Sequence, residues 1–169
     1  MAEKIRYSWG MSALGDFMAA SSDKGLVAFE FEDQRTALLD ALAVQFPDAV
    51  IEEDSVGMSE LVGKLEAVVD NPSVDPGIEL DMRGSDYQKL VWTRLKEILA
   101  GETTSYGALA TSMGTRDARD VTAAIASNTI AILIPCHRVL KKDGSISGYR
   151  WGVKRKRALL EREGVSVGR

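Results

Sequence analysis

Two periods of hydrophobicity divide this chain. Near the N-terminus, "DKGLVAFEFED" alternates apolar and polar positions and is rich in β-formers; "SWGMSALGDFMAAS" precedes it. The pair reads as a β-hairpin turned at Asp23-Lys24-Gly25. The period then changes. "QRTALLDALAVQFP" and "MSELVGKLEAVVDN" repeat apolar residues three and four apart and end at or just before a proline, which predicts two helices. "DNPSVDPG", with two prolines and a glycine among acids, is the most linker-like segment, and the domain boundary is placed there, giving domains 1–78 and 79–169.

Beyond a short strand, "IELDMRG", Ser85 and Gln88 form a capping-box pattern. The helix it opens is expected to carry Leu90, Val91, Leu95, Ile98 and Leu99 on one side, up to Gly101. "TTSYGALATSMG" predicts a short helix closed by Gly114, and "TRDARDVTAAIASN" a second helix three or four residues later. Two short helices about a glycine turn fit a helix-turn-helix, although plain helical hairpins share the pattern. The apolar run Ala131–Ile134 reads as a buried strand, ended by Pro135 because proline has no N–H to donate.

Charge sharpens the division. The net charge of the 169 residues is −4, yet residues 1–82 hold 5 Lys+Arg against 17 Asp+Glu (−12), while residues 83–169 hold 16 against 8 (+8). A positive half beside a negative one points to a polyanion met on one face only. With 45 % hydrophobic and 27 % charged residues the composition is that of a globular protein, which excludes disordered and fibrous classes. No run approaches the roughly 18 apolar residues of a spanning helix, and the N-terminus lacks a secretory pattern, so a cytoplasmic protein without membrane contact is expected.

The chain's one cysteine and one histidine are neighbours, Cys136 and His137, in "AILIPCHRVLKKDG". One cysteine excludes an internal disulfide and a thiolate metal cluster; the thiol is a buried filler or a reactive group. A free thiol, with a pKa of about 8.5, is only slightly ionised at neutral pH, so a nucleophile here would gain from an imidazole and from Arg138, Lys141 and Lys142. In an extended backbone, neighbouring side chains point to opposite faces. His137 could then reach the thiol only through a bent backbone or a bridging water.

"IPCHRVL" with Asn128 eight positions upstream, "SYGALA" and "ARDV" before it and "GSISGYRWGVKRKRALLEREG" after it resemble the O6-alkylguanine-DNA alkyltransferase family, including the C-terminal half of the bacterial Ada protein and its stand-alone relatives. The likeness runs from about Leu80 to Gly164. It implies an α/β N-terminal ribonuclease-H-like domain and a mostly α, winged-helix-like C-terminal domain with a helix-turn-helix. By that resemblance Cys136 accepts the alkyl group, His137 activates it through a water, and Glu163 orients the histidine. Asn128 would brace the turn between helix-turn-helix and active site, and Tyr106 would donate a hydrogen bond to the departing guanine. Val139 and Tyr149 would line the base pocket, and Arg119 would fill the stack after the nucleotide rotates out. Ala118, Ala123, Ala124 and Ala126 would let a helix approach the minor groove closely. The implied partner is double-stranded DNA carrying O6-alkylguanine, the implied state a bacterial monomer, and neither cofactor nor metal is implied.

Two departures qualify the resemblance. Asp117 and Asp120 bracket Arg119 where extra carboxylates near phosphate would weaken binding, unless they serve the helix N-terminus. No cysteine-rich segment precedes the domain, so self-methylation-driven gene activation is not expected. A DNA-binding regulatory or sensing module with an unreactive pocket, and a cysteine hydrolase, are the alternatives from other classes. A hydrolase would need an oxyanion hole and turnover.

Overall fold

The structure is a computed structural model that describes residues 2–32, 34–114 and 117–167. It divides into two compact units: the residues up to Asp70 with Val74–Met82, and Asn71–Ser73 with the chain from Arg83 onward. The change of unit therefore falls four residues beyond the expected 78/79 boundary. The reason is local: Leu26 donates to the Glu79 carbonyl at 2.9 Å and accepts from Asp81 at 2.8 Å, which ties the segment after the prolines to the first unit.

In the first unit, β1 (Lys4–Ser12), β2 (Gly15–Ser21), β3 (Leu26–Phe31) and β4 (Val50–Glu53) form one sheet in the order β3-β2-β1-β4. β1 and β2 pair antiparallel, as do β2 and β3, whereas β4 joins β1 in parallel. "SWGMSALGDFMAAS" thus contains a hairpin of its own, with Ala13 and Leu14 at its turn, before the expected one at Asp23–Gly25. Every residue of β3 is buried, so its faces do not divide into core and solvent. α1 (Arg35–Gln45) and α2 (Ser59–Asp70) follow. Leu38 and Leu42 of α1 join Ile5, Met18 and Ala28 in the core. Each fully buried side chain of this size contributes about 1.5–3 kcal/mol.

The second unit begins with α3 (Asp86–Lys96), opened by the expected reciprocal cap: Gln88 N–H donates to Ser85 Oγ at 3.1 Å, and Ser85 N–H to Gln88 Oε1 at 2.8 Å. Its buried face is Val91, Trp92 and Leu95; Leu90 is 50 % and Leu99 65 % exposed, contrary to the expected stripe. Leu99 lies past the helix end, where the 3.6-residue period no longer holds. Trp92 takes the inner position, and its indole N–H donates to the Ala124 carbonyl at 2.9 Å. α4 (Tyr106–Ser112) ends near Gly114, whose φ of +75° suits glycine. α5 (Ala118–Ala126) packs on both α3 and α4. Thr115 and Arg116, part of the expected turn between α4 and α5, lie outside the described residues. β5 (Thr104–Ser105) pairs in parallel with β6 (Val139–Leu140), and α6 (Val153–Arg162) follows.

Ala131–Ile134 is not a strand. Leu133 N–H donates to the Ala131 carbonyl at 2.6 Å across Ile132, whose φ is +65°. That i→i+2 bond with positive φ is the rare, strained form of γ-turn. Cys136 N–H then donates to the Ile134 carbonyl at 2.7 Å across Pro135 (φ −80°, ψ 62°), the relaxed inverse γ-turn. A β-branched residue at positive φ costs on the order of 1–3 kcal/mol. The buried surroundings of Ala131, Ile132 and Ile134 hold it there. The run's apolar composition serves packing, not the strand pairing it predicts.

Candidate active site

The two γ-turns deliver the chain into one turn of 3-10 helix, Cys136–Arg138. Side chains there fan out by about a third of a turn per residue, so neighbours no longer point to opposite faces. Cys136 is 4 % exposed and lines a cavity of about 450 Å³ together with Tyr106, Ile125, Ser147, Tyr149 and Arg150. Burial is the main influence on its thiol and pushes the pKa up to about 11, against smaller lowering effects from Asn128 and Lys156. At rest the sulfur is a protonated thiol.

His137 is fully buried, and its Nε2 lies 2.9 Å from Glu163 Oε2. Burial lowers its pKa more strongly than Glu163 raises it, so the ring is neutral at pH 7. A carboxylate can only accept, which assigns the proton to Nε2. Nδ1, buried and without a hydrogen-bond partner among the described residues, is then the basic nitrogen. Glu163 is fixed from a second side: Arg138 Nη2 donates to Oε2 at 2.6 Å and Nε to Oε1 at 3.0 Å. Burial would raise the Glu163 pKa, but its bonds to His137 and Arg138 outweigh that and hold it low. Arg138 itself donates to the Ile98 carbonyl at 2.6 Å.

Asn128 is buried behind the thiol. Its Nδ2 donates to the carbonyls of Ile130 (3.0 Å) and Ile134 (3.1 Å) and lies 3.4 Å from Cys136 Sγ, while Oδ1 accepts from Ile130 N–H at 2.9 Å. One side chain thereby spans the strained turn and touches the sulfur. Tyr106 opens α4 and its hydroxyl is 2.7 Å from Ser147 Oγ. Tyr149 lines the cavity, packs edge-on against Trp151 at 5.2 Å and has a buried hydroxyl without a partner among the described residues, whose pKa burial raises well above its ordinary value.

The remaining expected residues lie apart. Val139 is buried in β6, paired with Thr104, and is not among the cavity-lining residues described. Arg119 has a side chain 91 % exposed near the start of α5 and forms a forked pair with Asp117. Asp117 is the N-cap, accepting from Arg119 N–H at 2.9 Å, and Asp120 sits in the first turn, so both acids serve the helix N-terminus. Ala124 faces the core instead of solvent; Thr122, Ala123 and Ala126 are exposed with Arg119.

Sequence reasoning treated Arg138 as diffuse positive charge and passed over Ser147 and Lys156. Lys156 is fully buried, with Nζ donating to Ser147 Oγ at 3.1 Å and to the Gly148 carbonyl at 3.4 Å. Its pKa falls to about 8 through burial. A signal was present: Lys156, Leu159, Leu160 and Glu163 follow the i, i+3, i+4, i+7 spacing of one helix face.

The profile of the 6-O-methylguanine DNA methyltransferase DNA-binding domain matches residues 86–165. The bifunctional transcriptional activator/DNA repair enzyme Ada of Escherichia coli is 39 % identical over 160 residues, which cover 94 % of this chain and 45 % of that protein. This chain thus spans under half of that relative. A methylated-DNA–protein-cysteine methyltransferase of Mycobacterium tuberculosis is 44 % identical over 111 residues, 65 % of this chain and 67 % of the relative. The crystal structure of the Mycobacterium tuberculosis O6-methylguanine methyltransferase superposes with a TM-score of 0.74 at 34 % identity, covering 94 % of this chain and 92 % of the other. A structure of that enzyme in complex with DNA gives the same score at 95 % and 92 % coverage.

Proposed function

The chain belongs to the methylated-DNA–protein-cysteine methyltransferase family, and from that premise we propose that it repairs O6-alkylguanine in double-stranded DNA, with O4-alkylthymine a second substrate, by moving the alkyl group onto Cys136. The observation that carries this reading is a thiol at the wall of a base-sized cavity, beside a neutral imidazole clamped by Glu163. His137 Nδ1 takes the thiol proton through a water; the thiolate attacks the alkyl carbon in line, and the pair of electrons of the broken C–O bond stays with guanine. The product thioether offers water no carbonyl and no good leaving group, so each chain acts once.

In this reading Asn128 holds the sulfur in register, Tyr106 donates to the departing base, Tyr149 borders the guanine, and Arg119 occupies the stack it leaves. Flipping is required because the O6 substituent lies inside the duplex, and a badly paired lesion lowers its cost. The finer fold assignment, a ribonuclease-H-like first unit and a winged-helix-like second one with α4–α5 as helix-turn-helix, and a place in the bacterial cytoplasm as a monomer, belong to the same proposal. Intact mass after mixing with a duplex carrying O6-methylguanine tests it: one methyl group per chain, on Cys136, with lesion loss ending at one equivalent. Turnover beyond the protein concentration, or a lesion held with Cys136 unmodified, would overturn it.

A further inference from the structure

Tyr106 Oη, Ser147 Oγ and Lys156 Nζ form a continuous hydrogen-bonded chain of 2.7 and 3.1 Å that starts in the cavity lining at Tyr106 and Ser147. Either hydroxyl of the first pair could donate on geometry alone. The lysine removes that ambiguity. An ammonium has three protons and no lone pair, so it only donates. Ser147 Oγ accepts from it and its single proton must go elsewhere. We infer that Lys156, through Ser147, sets the polarity of this chain, so that Ser147 donates to Tyr106 and Tyr106 is left to present its own proton to the cavity.

Neutral Lys156 would do the opposite. A free amine accepts, so Ser147 could turn its proton toward Nζ and accept from Tyr106, drawing the phenolic proton away from the site. The chain is then a reversible polarity switch, and it is also a source of protons. As the sulfur–carbon bond forms and the carbon–O6 bond breaks, the departing guanine gains an electron pair. It takes the Tyr106 proton, the phenol oxygen takes that of Ser147, and Ser147 takes one from Lys156, which ends neutral. The thiol proton rests on His137, so the net charge of the site is unchanged.

A lysine near pKa 8 is poised for this, close to working pH and more acidic than an exposed one. The ionisable groups around it do not blur its titration. Tyr106 lies with its ring 5.9 Å from Nζ, and Cys136 and His137 face it from the 3-10 turn. Arg150 shares the field at Cys136, and Arg155 and Arg157 flank Lys156 on α6. Cys136 titrates near 11 and His137 below its ordinary value.

This inference rests on the proposed alkyl transfer, and the test separates the two. Single-turnover transfer from O6-benzylguanine to Cys136 is followed by mass from pH 7 to 9. The wild-type rate should fall about tenfold by one unit above the Lys156 pKa. Ser147→Ala should be slow already at pH 7 and flat with pH, and Lys156→Arg, a permanent donor, should lose the alkaline fall. In a Tyr106→Phe background, Ser147→Ala should change nothing further. Ser147→Ala with the wild-type rate and alkaline fall, or slowing Tyr106→Phe as much as wild type, would overturn the inference, as would a wild-type rate flat to pH 9. A wild-type chain whose Cys136 takes no alkyl group overturns the proposed function itself.

Discussion

Replacing His137 by alanine isolates what the imidazole does for a buried thiol. With the Cys136 pKa near 11, pH 7 lies four units below it, so about one molecule in 10⁴ carries a thiolate without help. In the proposed transfer the wild-type site need not wait for that population, because neutral His137 takes the proton as attack proceeds. Positioned general bases contribute about 10²–10⁴-fold, and the scarcity of thiolate puts this one toward the upper end. His137→Ala is therefore expected to slow transfer at pH 7 by about 10³-fold. The pH dependence is the sharper signature. In the variant only pre-formed thiolate reacts, so the rate should climb about 100-fold from pH 6 to pH 8, one decade per unit. The wild type, its one histidine deprotonated across most of this range, should vary little between pH 7 and 8. The assay is single-turnover transfer from O6-benzylguanine, read by intact mass, with thermal melts to confirm folding. A variant rate within threefold of wild type, or a pH-flat one, would refute both the base role of His137 and the protonated resting thiol.

Asn128→Ala should destabilise the second unit by about 2–4 kcal/mol in chemical denaturation, because the carbonyls of Ile130 and Ile134 and the Ile130 N–H lose a buried partner at a strained turn. Stability should also fall with acid below about pH 6.5. The folded-state pKa of His137 is depressed, so the unfolded chain binds a proton that the folded chain refuses, and the contribution present above 6.5 is lost toward the folded value. Melting temperature from pH 7.5 to 5.5 checks this, and His137→Gln should flatten the slope. Arg119→Ala should slow repair in duplex DNA at least tenfold more than attack on free O6-benzylguanine; equal slowing on both would remove its role in flipping. Cys136→Ser should retain duplex binding, measured by anisotropy, with no transfer.

The helices were legible because their signals are local. The Ser85–Gln88 cap, the glycine at 114 and the proline stops act within a turn or two of chain, and the observed elements follow them, whereas α3 ends at Lys96, ahead of the expected stop at Gly101. The thiol and imidazole were legible as a pair because each occurs once. What escaped depends on tertiary placement. An apolar run such as Ala131–Ile134 looks the same whether it pairs in a sheet or lines a buried γ-turn, and only the long-range brace from Asn128 decides. The β1–β2 hairpin was hidden because its turn chemistry sits at the flanking Ser12 and Gly15, while the central Ala13 and Leu14 carry none. Leu90 seemed a core position until Trp92 found a partner carbonyl on α5. Lys156 was lost in the run "VKRKR", since a basic string on a helix ordinarily reads as a solvated or DNA-facing surface.

Why the only thiol stands beside the only imidazole can now be argued from the backbone. In a strand the two would be divided between opposite faces. In a 3-10 turn, Cys136 looks into the cavity while His137 and Arg138 both reach Glu163, one carboxylate serving as acceptor for an imidazole and a guanidinium. Arg138 matters here as a counter-charge: without it, a buried carboxylate beside His137 would draw a proton onto the ring and spoil the base. With it, Glu163 stays ionised, His137 stays neutral, and Nδ1 is left basic. The same burial that keeps the imidazole neutral keeps the thiol protonated, and a thiol is a far poorer target for oxidants than a thiolate. For a nucleophile that each chain uses once, as the proposed transfer requires, that restraint is functional. On that proposal reactivity is withheld from the resting site and released by proton transfer at the moment an alkyl carbon lies in line with the sulfur.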